Sequence, residues 1–232
     1  KPLVLRTEDL GRTWSNITGD LPAGGPVEVV LEDPGNPQVL YAGTEFGIFA
    51  TLDLGKHWVR LNGKSLPPAP VDDILMHPLE KDLVVGTHGR SIWILDGASF
   101  FAQLTSEARR KSAVLLDILP ATPRLYFGRD YGSGQAIFRA KNPPMGAVLN
   151  YWLKEDSEES ASLTIADSSG FVIRKLDGTN RAGLNRVVWD LQADAKHRFS
   201  DVDQGYGQTP FVPARDYKVT LALGKEKSGK MV

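Results

Sequence analysis

The chain has 232 residues, 41% hydrophobic and 24% charged, with a formal net charge of -1 and no cysteine. That length holds one large or two ordinary domains with real cores, and the near-neutral balance excludes a general attraction to nucleic acid or anionic membrane. Disulfides, thiolate metal sites and a cysteine nucleophile are excluded, and no apolar run is long enough to cross a bilayer as a helix.

Lys1-Pro2-Leu3 carries neither Met nor a signal peptide and reads as a processed or truncated start. Residues 2–7 and 13–17 read as strands on either side of the phrase Thr7-Glu8-Asp9-Leu10-Gly11-Arg12-Thr13-Trp14. A β-branched run at 27–32 meets the turn cluster Asp33-Pro34-Gly35-Asn36-Pro37, and strands at 39–44, 47–52 and 58–61 follow. The same order recurs at 71–76, 83–87 and 91–95, where Asp96-Gly97 stands over Asp53 but no tryptophan follows. Phe100, Phe101 and Leu104 are expected to form this copy's fourth strand or the packing that replaces it. Residues 105–111 read as a short helix with an N-cap. A connecting segment over 113–129 is expected to pack Leu115, Leu116, Leu119, Tyr126 and Phe127, and 128–145 reads as loop. Strands then follow at 146–154, 162–166, 171–176, 183–191 and 217–223, with a hairpin across Asp167-Ser168-Ser169-Gly170 and a polar stretch at 194–208. Short strands at this spacing suggest an immunoglobulin-type β-sandwich, and the sequence is expected to stop before its last strand.

The phrase at 7–14 returns as Thr51-Leu52-Asp53-Leu54-Gly55-Lys56-His57-Trp58, 44 residues later. A period of roughly 40–45 residues carrying turn chemistry and an aromatic indicates propeller blades. Asp9 and Asp53 are expected to accept backbone N–H groups two or three residues on, and Gly11 and Gly55 to take a positive φ. Trp14 and Trp58 are expected to bury their rings between neighbouring sheets. The reading is therefore all-β: about two and a half blades of a partial β-propeller over 1–104, a helix and connector over 105–143, and an immunoglobulin- or fibronectin-like sandwich over 144–232. An open array of blades would leave apolar end faces and strand edges to be covered by upstream blades or by another copy of the chain.

The repeated phrase resembles the Asp box, or BNR repeat, of sialidase-like and sortilin-like propellers, where it is a structural turn. Leu40-Tyr41-Ala42-Gly43-Thr44-Glu45-Phe46-Gly47-Ile48-Phe49 and Val85-Gly86-Thr87-His88-Gly89-Arg90-Ser91-Ile92-Trp93-Ile94-Leu95-Asp96 resemble the closing blades of bacterial sortilin-like proteins, often labelled BNR-repeat glycosyl hydrolases. A small Ig-like module follows the propeller in that family. Ala182-Gly183-Leu184-Asn185-Arg186-Val187-Val188-Trp189-Asp190-Leu191 is similar to its central strand, and Val212-Pro213-Ala214-Arg215-Asp216-Tyr217-Lys218-Val219 to its final strand entry. Arg215-Asp216 departs from the family's Gly-Thr at that turn. The resemblance implies an exported bacterial protein in which this region binds a protein, peptide or glycan without catalysis. The alternative it leaves is an accessory part of a sialidase- or xyloglucanase-like hydrolase with its catalytic groups on upstream blades.

The chemistry-bearing residues are few. A sialidase's arginine trio and tyrosine nucleophile have no counterpart constellation here. Asp72-Asp73 tempts as a carboxylate pair, but neighbours in a strand point to opposite faces and cannot form a facing pair. His88-Gly89-Arg90 follows a buried strand at the loop where the preceding copy carries Glu45, and can present an imidazole and a guanidinium to an anionic or sugar ligand. The plainer alternative is that Arg90 pairs with a carboxylate and His88 serves a turn. Glu45, Asp72, Asp73, His88 and Arg90 are thus the ligand-contact candidates, and no catalytic residue, metal ligand or cofactor site is expected. His77 before Pro78 suits a turn, and His57 and His197 stand alone. Arg109-Arg110-Lys111 suits a solvated helix face, and the acidic stretch 155–159 lacks the ligand spacing of a calcium loop. Trp152 and Trp189 suit a sandwich core better than a sugar platform.

Overall fold

A computed structural model describes residues 1–61, 63, 66–123, 142–194 and 211–232. The loop reading for 128–141, the polar stretch 195–208, and the readings of Tyr126, Phe127 and His197 lie outside the described residues. The chain is all-β, built from several small antiparallel sheets, and divides into two compact units, Lys1–Thr105 and Ser106–Val232.

In the first unit, strands β1 (Leu5–Arg6) and β2 (Ser15–Asn16) pair around the first turn phrase. Strands β3 (Val27–Asp33), β4 (Asn36–Thr44), β5 (Gly47–Thr51) and β6 (Val59–Arg60) form a four-stranded meander. Strands β7 (Val71–Met76), β8 (Leu83–Thr87) and β9 (Ile92–Leu95) form a three-stranded one. The two meanders share a core in which Val39, Tyr41 and Ile48 face Ile74, Met76, Leu83 and Val85. The opposite face of the larger sheet, with Leu40, Ala42 and Phe49, packs on Val4, Leu21 and Trp58. Being covered on both faces, β4 reads as an unbroken apolar run from Val39 to Ala42 rather than an alternation.

At the end of the third copy the structure takes the second of the two expected forms, packing rather than a strand. After β9 the chain turns into helix α1 (Phe100–Gln103) instead of a fourth strand. Phe101 meets Tyr41 edge to face at 5.7 Å, and the Asn36 side-chain amide donates to the Ala102 carbonyl at 2.9 Å. Packing therefore replaces the missing strand. Beneath this helix, the buried Tyr41 hydroxyl donates to Asp33 Oδ2 at 2.7 Å, while Asp33 Oδ1 accepts the Gly35 N–H at 2.8 Å. Burial, and then the Asp33 carboxylate, push the Tyr41 phenol far above its ordinary pKa. Tyr41→Phe removes one partner of a buried carboxylate, and is expected to lower the stability of this unit by about 1–3 kcal/mol, read from urea unfolding.

The second unit opens with helix α2 (Ser106–Arg110) and strand β10 (Ala113–Leu115). Strand β10 corrects the connector reading, because it pairs with β11 (Ala147–Leu153), which pairs in turn with β14 (Gly183–Trp189). Leu115 and Leu116 are buried as expected, but Leu119 is exposed. A second sheet runs in the order β13 (Val172–Asp177), β12 (Ser162–Ala166), β15 (Lys218–Leu223), β16 (Glu226–Met231). Strand β16 lies in a stretch where the residue pattern predicts no strand. Its Glu-Lys-Ser-Gly-Lys sequence has little strand propensity, and it forms because a two-residue turn, Gly224-Lys225, folds it back onto β15. Both sheets bury one core, with Leu149, Tyr151 and Trp189 from the first against Leu163, Ile165, Val219 and Leu221 from the second.

Candidate functional site

The two turn phrases close almost identically, through side chains that bond four residues along the chain. Asp9 Oδ1 accepts the Thr13 N–H at 2.8 Å and Asp53 Oδ1 accepts the His57 N–H at 2.9 Å, a longer reach than the two or three residues expected. Thr7 and Thr51 hydroxyls accept the N–H of Gly11 and Gly55 at 2.8 and 3.0 Å, and each donates to its aspartate. Gly11 and Gly55 take φ of 88° and 80°, and Leu10 and Leu54 before them are also left-handed, at 59° and 58°. The tryptophans differ. Trp58 is buried and donates from Nε1 to the Ile17 carbonyl, whereas Trp14 is 58% exposed and donates only to Gly11 within its own turn. The expectation that both rings are buried holds for Trp58 and fails for Trp14.

In the second turn His57 takes the place of Thr13, with Nδ1 2.7 Å from Asp53 Oδ2. The hydrogen bond to Asp53, then its charge, raise the pKa of His57. Desolvation alone would raise Asp53, but the hydrogen bonds from His57 and Thr51 outweigh it and hold the carboxyl below its ordinary value. Stabilisation from protonated His57 is complete below about pH 6.5 and disappears as pH rises through its raised folded-state pKa. The Asp53 contribution is complete above about pH 4 and disappears as pH falls through its depressed value. An NMR titration of the His57 ring is expected to have its midpoint above about 6.5, returning toward that value in Asp53→Asn.

The candidate ligand contacts lie at the other end of the strands. Register places the Asp33–Asn36 turn and the Thr51 turn at one end of the larger sheet, and the Thr44–Gly47 turn at the opposite end. The smaller sheet repeats this, with Val71 opposite Thr87 and the 88–91 loop beside them. The two loop ends meet, since Val71 packs so closely on Gly43 that a side chain there would sit 2.7 Å from it. Glu45, Asp72, Asp73, His88 and Arg90 thus share one end of this unit, and all five are exposed.

Their contacts are specific. His88 Nδ1 lies 3.4 Å from Asp72 Oδ2, and the His88 N–H donates to the Pro70 carbonyl at 2.9 Å. The Arg90 carbonyl accepts Trp93 Nε1 at 2.7 Å, which pins the loop and leaves the Arg90 side chain outward. Asp73 Oδ1 accepts the next residue's N–H, that of Ile74, at 2.9 Å. Glu45 packs over Gly25. Asp72 and Asp73 do not keep the strand alternation expected of them: a β-bulge between Val71 and Asp73 breaks it and exposes both. A matching bulge between Val27 and Val29 exposes Glu28 at the equivalent place 44 residues earlier.

The threonines at the feet of these loops are not picked out by sequence reasoning. The Thr44 hydroxyl donates to the Gly47 carbonyl at 3.0 Å and accepts the Phe46 N–H, and the Thr87 hydroxyl donates to the Ser91 carbonyl at 2.6 Å. Arg60 adds a further tie to the Phe46 carbonyl. The signal was present in the match of Tyr41-Ala42-Gly43-Thr44 to Val84-Val85-Gly86-Thr87, whose last member recurs for a geometric reason.

Comparison of this chain with protein-family models, curated proteins and solved structures gives no match.

Elsewhere the side chains serve the fold. His77 Nδ1 accepts the Glu80 N–H at 3.0 Å within a turn. In the acidic stretch, Asp156 accepts the Ala182 N–H and pairs with Arg181. Among the described residues no three His, Asp or Glu side chains converge as metal ligands, and no helix is long and apolar enough to cross a membrane. Trp189 is fully buried, with Nε1 donating to the Gln192 carbonyl at 2.9 Å, so its ring offers no platform to a sugar.

Proposed function

We propose that this chain is a non-catalytic binding or assembly region of an exported, sortilin-like BNR-repeat protein: blades of a β-propeller followed by an immunoglobulin-like β-sandwich. The ligand, a protein, peptide or glycan, meets the end of the first unit that carries Glu45, His88 and Arg90. One observation carries this reading. The loop end recurs with its bulge, its threonine foot and an exposed loop carrying a charged side chain in two successive sheets, while the Asp-box turns occupy the opposite end. Repeated rigid sheets that hold short variable loops at one end suit recognition. In the second unit, support comes from two sheets over one core and from Tyr217, whose hydroxyl donates to the Pro213 carbonyl four residues upstream at 2.8 Å, much like a tyrosine corner.

Glycan and peptide arrays, followed by calorimetry on the hits, test the reading. Binding that falls at least about tenfold in His88→Ala and Arg90→Ala, with no release of product from sialosides or xyloglucan oligosaccharides, is the expected result. Hydrolysis by the chain, or binding that neither variant weakens, overturns it.

A further inference from the structure

The first unit contains one sheet–sheet contact that is complete and one that is half built. Shifting by 44 residues superimposes β3 on β7 and the pair β1–β2 on β5–β6. Strand β5 is paired on both edges, by β4 and β6, whereas β1 pairs only with β2 among the described residues. Ile74 on β7 is 5% exposed beneath the β3–β4 sheet, whereas its counterpart on β3, Val30, is 42% exposed. Between β1 and β3 runs a groove of about 740 Å³ whose walls include Leu3, Leu5, Val30 and Leu40. It continues directly into the apolar cluster of Val4, Leu40 and Phe49.

We propose that this groove docks a two-stranded antiparallel β-hairpin of the β3–β4 kind, which extends the sheet at the open edge of β1 and lays its apolar face over Val30. The inference rests on the repeat reading above, and the chain itself supplies the template. Where β3 and β4 are present beside β5, their Val29, Leu31, Val39 and Tyr41 face the next sheet and cover Ile74 and Met76. A hairpin beside β1 places the same kinds of side chain over Val30 and supplies backbone partners to the unpaired strand edge. Extended peptides that add to a strand edge gain affinity from main-chain bonds and specificity from alternate side chains.

The probe is a synthetic peptide of residues 27–44, backbone-cyclised through an Asn-Gly turn so that the hairpin is preformed. Added to the full chain, it is expected to slow hydrogen exchange of the β1 amides that face away from β2 by at least about tenfold, saturably. Val30→Asp, an exposed position that leaves the fold intact by circular dichroism, is expected to abolish the protection. A scrambled cyclic peptide is expected to give none. Unchanged β1 exchange at saturating peptide overturns the proposal. Protection that grows with protein concentration without peptide also overturns it, by assigning the groove to a second copy. If the hairpin fails while binding at the His88 and Arg90 loop persists, the docking site is wrong and the proposed function stands. If ligand binding fails while the hairpin protects β1, the reverse holds.

Discussion

Trp58→Ala is expected to destabilise the first unit by about 3–5 kcal/mol, while Trp14→Ala, at the same place in an almost identical turn, costs no more than about 1 kcal/mol. The rings differ only in their neighbours. Trp58 is 8% exposed and packs in one cluster with Val4, Leu21, Leu40 and Phe49. Its indole N–H donates to the Ile17 carbonyl at 3.3 Å and its backbone N–H to Asp20 Oδ1 at 2.6 Å. Truncation opens a cavity among side chains held by two sheets, and leaves the Ile17 carbonyl short of a donor. Among the described residues Trp14 is not part of that cluster, and its indole N–H returns to Gly11 of its own turn. The measurement is hydrogen exchange against urea, followed on β4 and β5 amides, because a chain of two units need not unfold in one step. Equal losses from the two variants would contradict the packing account.

In the second unit, Gly146→Ala is expected to cost about 3 kcal/mol or more, against about 1–2 kcal/mol for Gly170→Ala. Both glycines have a left-handed φ, 126° and 86°, so both substitutions carry backbone strain. Only at Gly146 does the added methyl meet a wall: its carbon would lie 2.0 Å from the Trp189 carbonyl oxygen, whereas nothing lies within 4 Å of the equivalent atom at Gly170. Since Trp189 is the register partner of Ala147, relieving that overlap means breaking the first rung of the β11–β14 ladder. The buried Trp189 ring meets Tyr217 edge to face at 5.3 Å, and its share of the emission, taken as the difference from a Trp189→Phe protein because the chain has 5 tryptophans, reports the change. A Gly146→Ala protein with the unaltered melting curve and emission would mean that β11 begins later than the register indicates.

Most strands were legible from residue pattern. The runs at Val71–Met76, Leu83–Thr87 and Ser162–Ala166 have the bounds read from β-branched content and turn residues. The misses share a cause. Ala113–Leu115 is too short to carry a period, and Glu226–Met231 is too polar; each becomes a strand because an established strand offers it an edge. The bulge at Asp72 was equally hidden, since an extra residue in one strand is defined by its partner, Gly86-Thr87, and not by its own sequence. At the candidate site, sequence placed His88, Arg90 and Glu45 in loops, but only register brings those loops and the bulged carboxylates to one end.

By itself the sequence determined the two turns at Asp9 and Asp53, because every bond that closes them spans four residues or fewer and needs no other part of the chain. It likewise determined that the two copies, 44 residues apart, take the same backbone course. Tertiary structure alone decided what those turns hold. Whether a tryptophan is buried, a strand edge is paired or a valine is covered depends on a second sheet arriving from elsewhere, and burial is a property of both surfaces. Trp14 and Trp58 are the same residue in the same local geometry, and only the presence of a neighbouring sheet separates them.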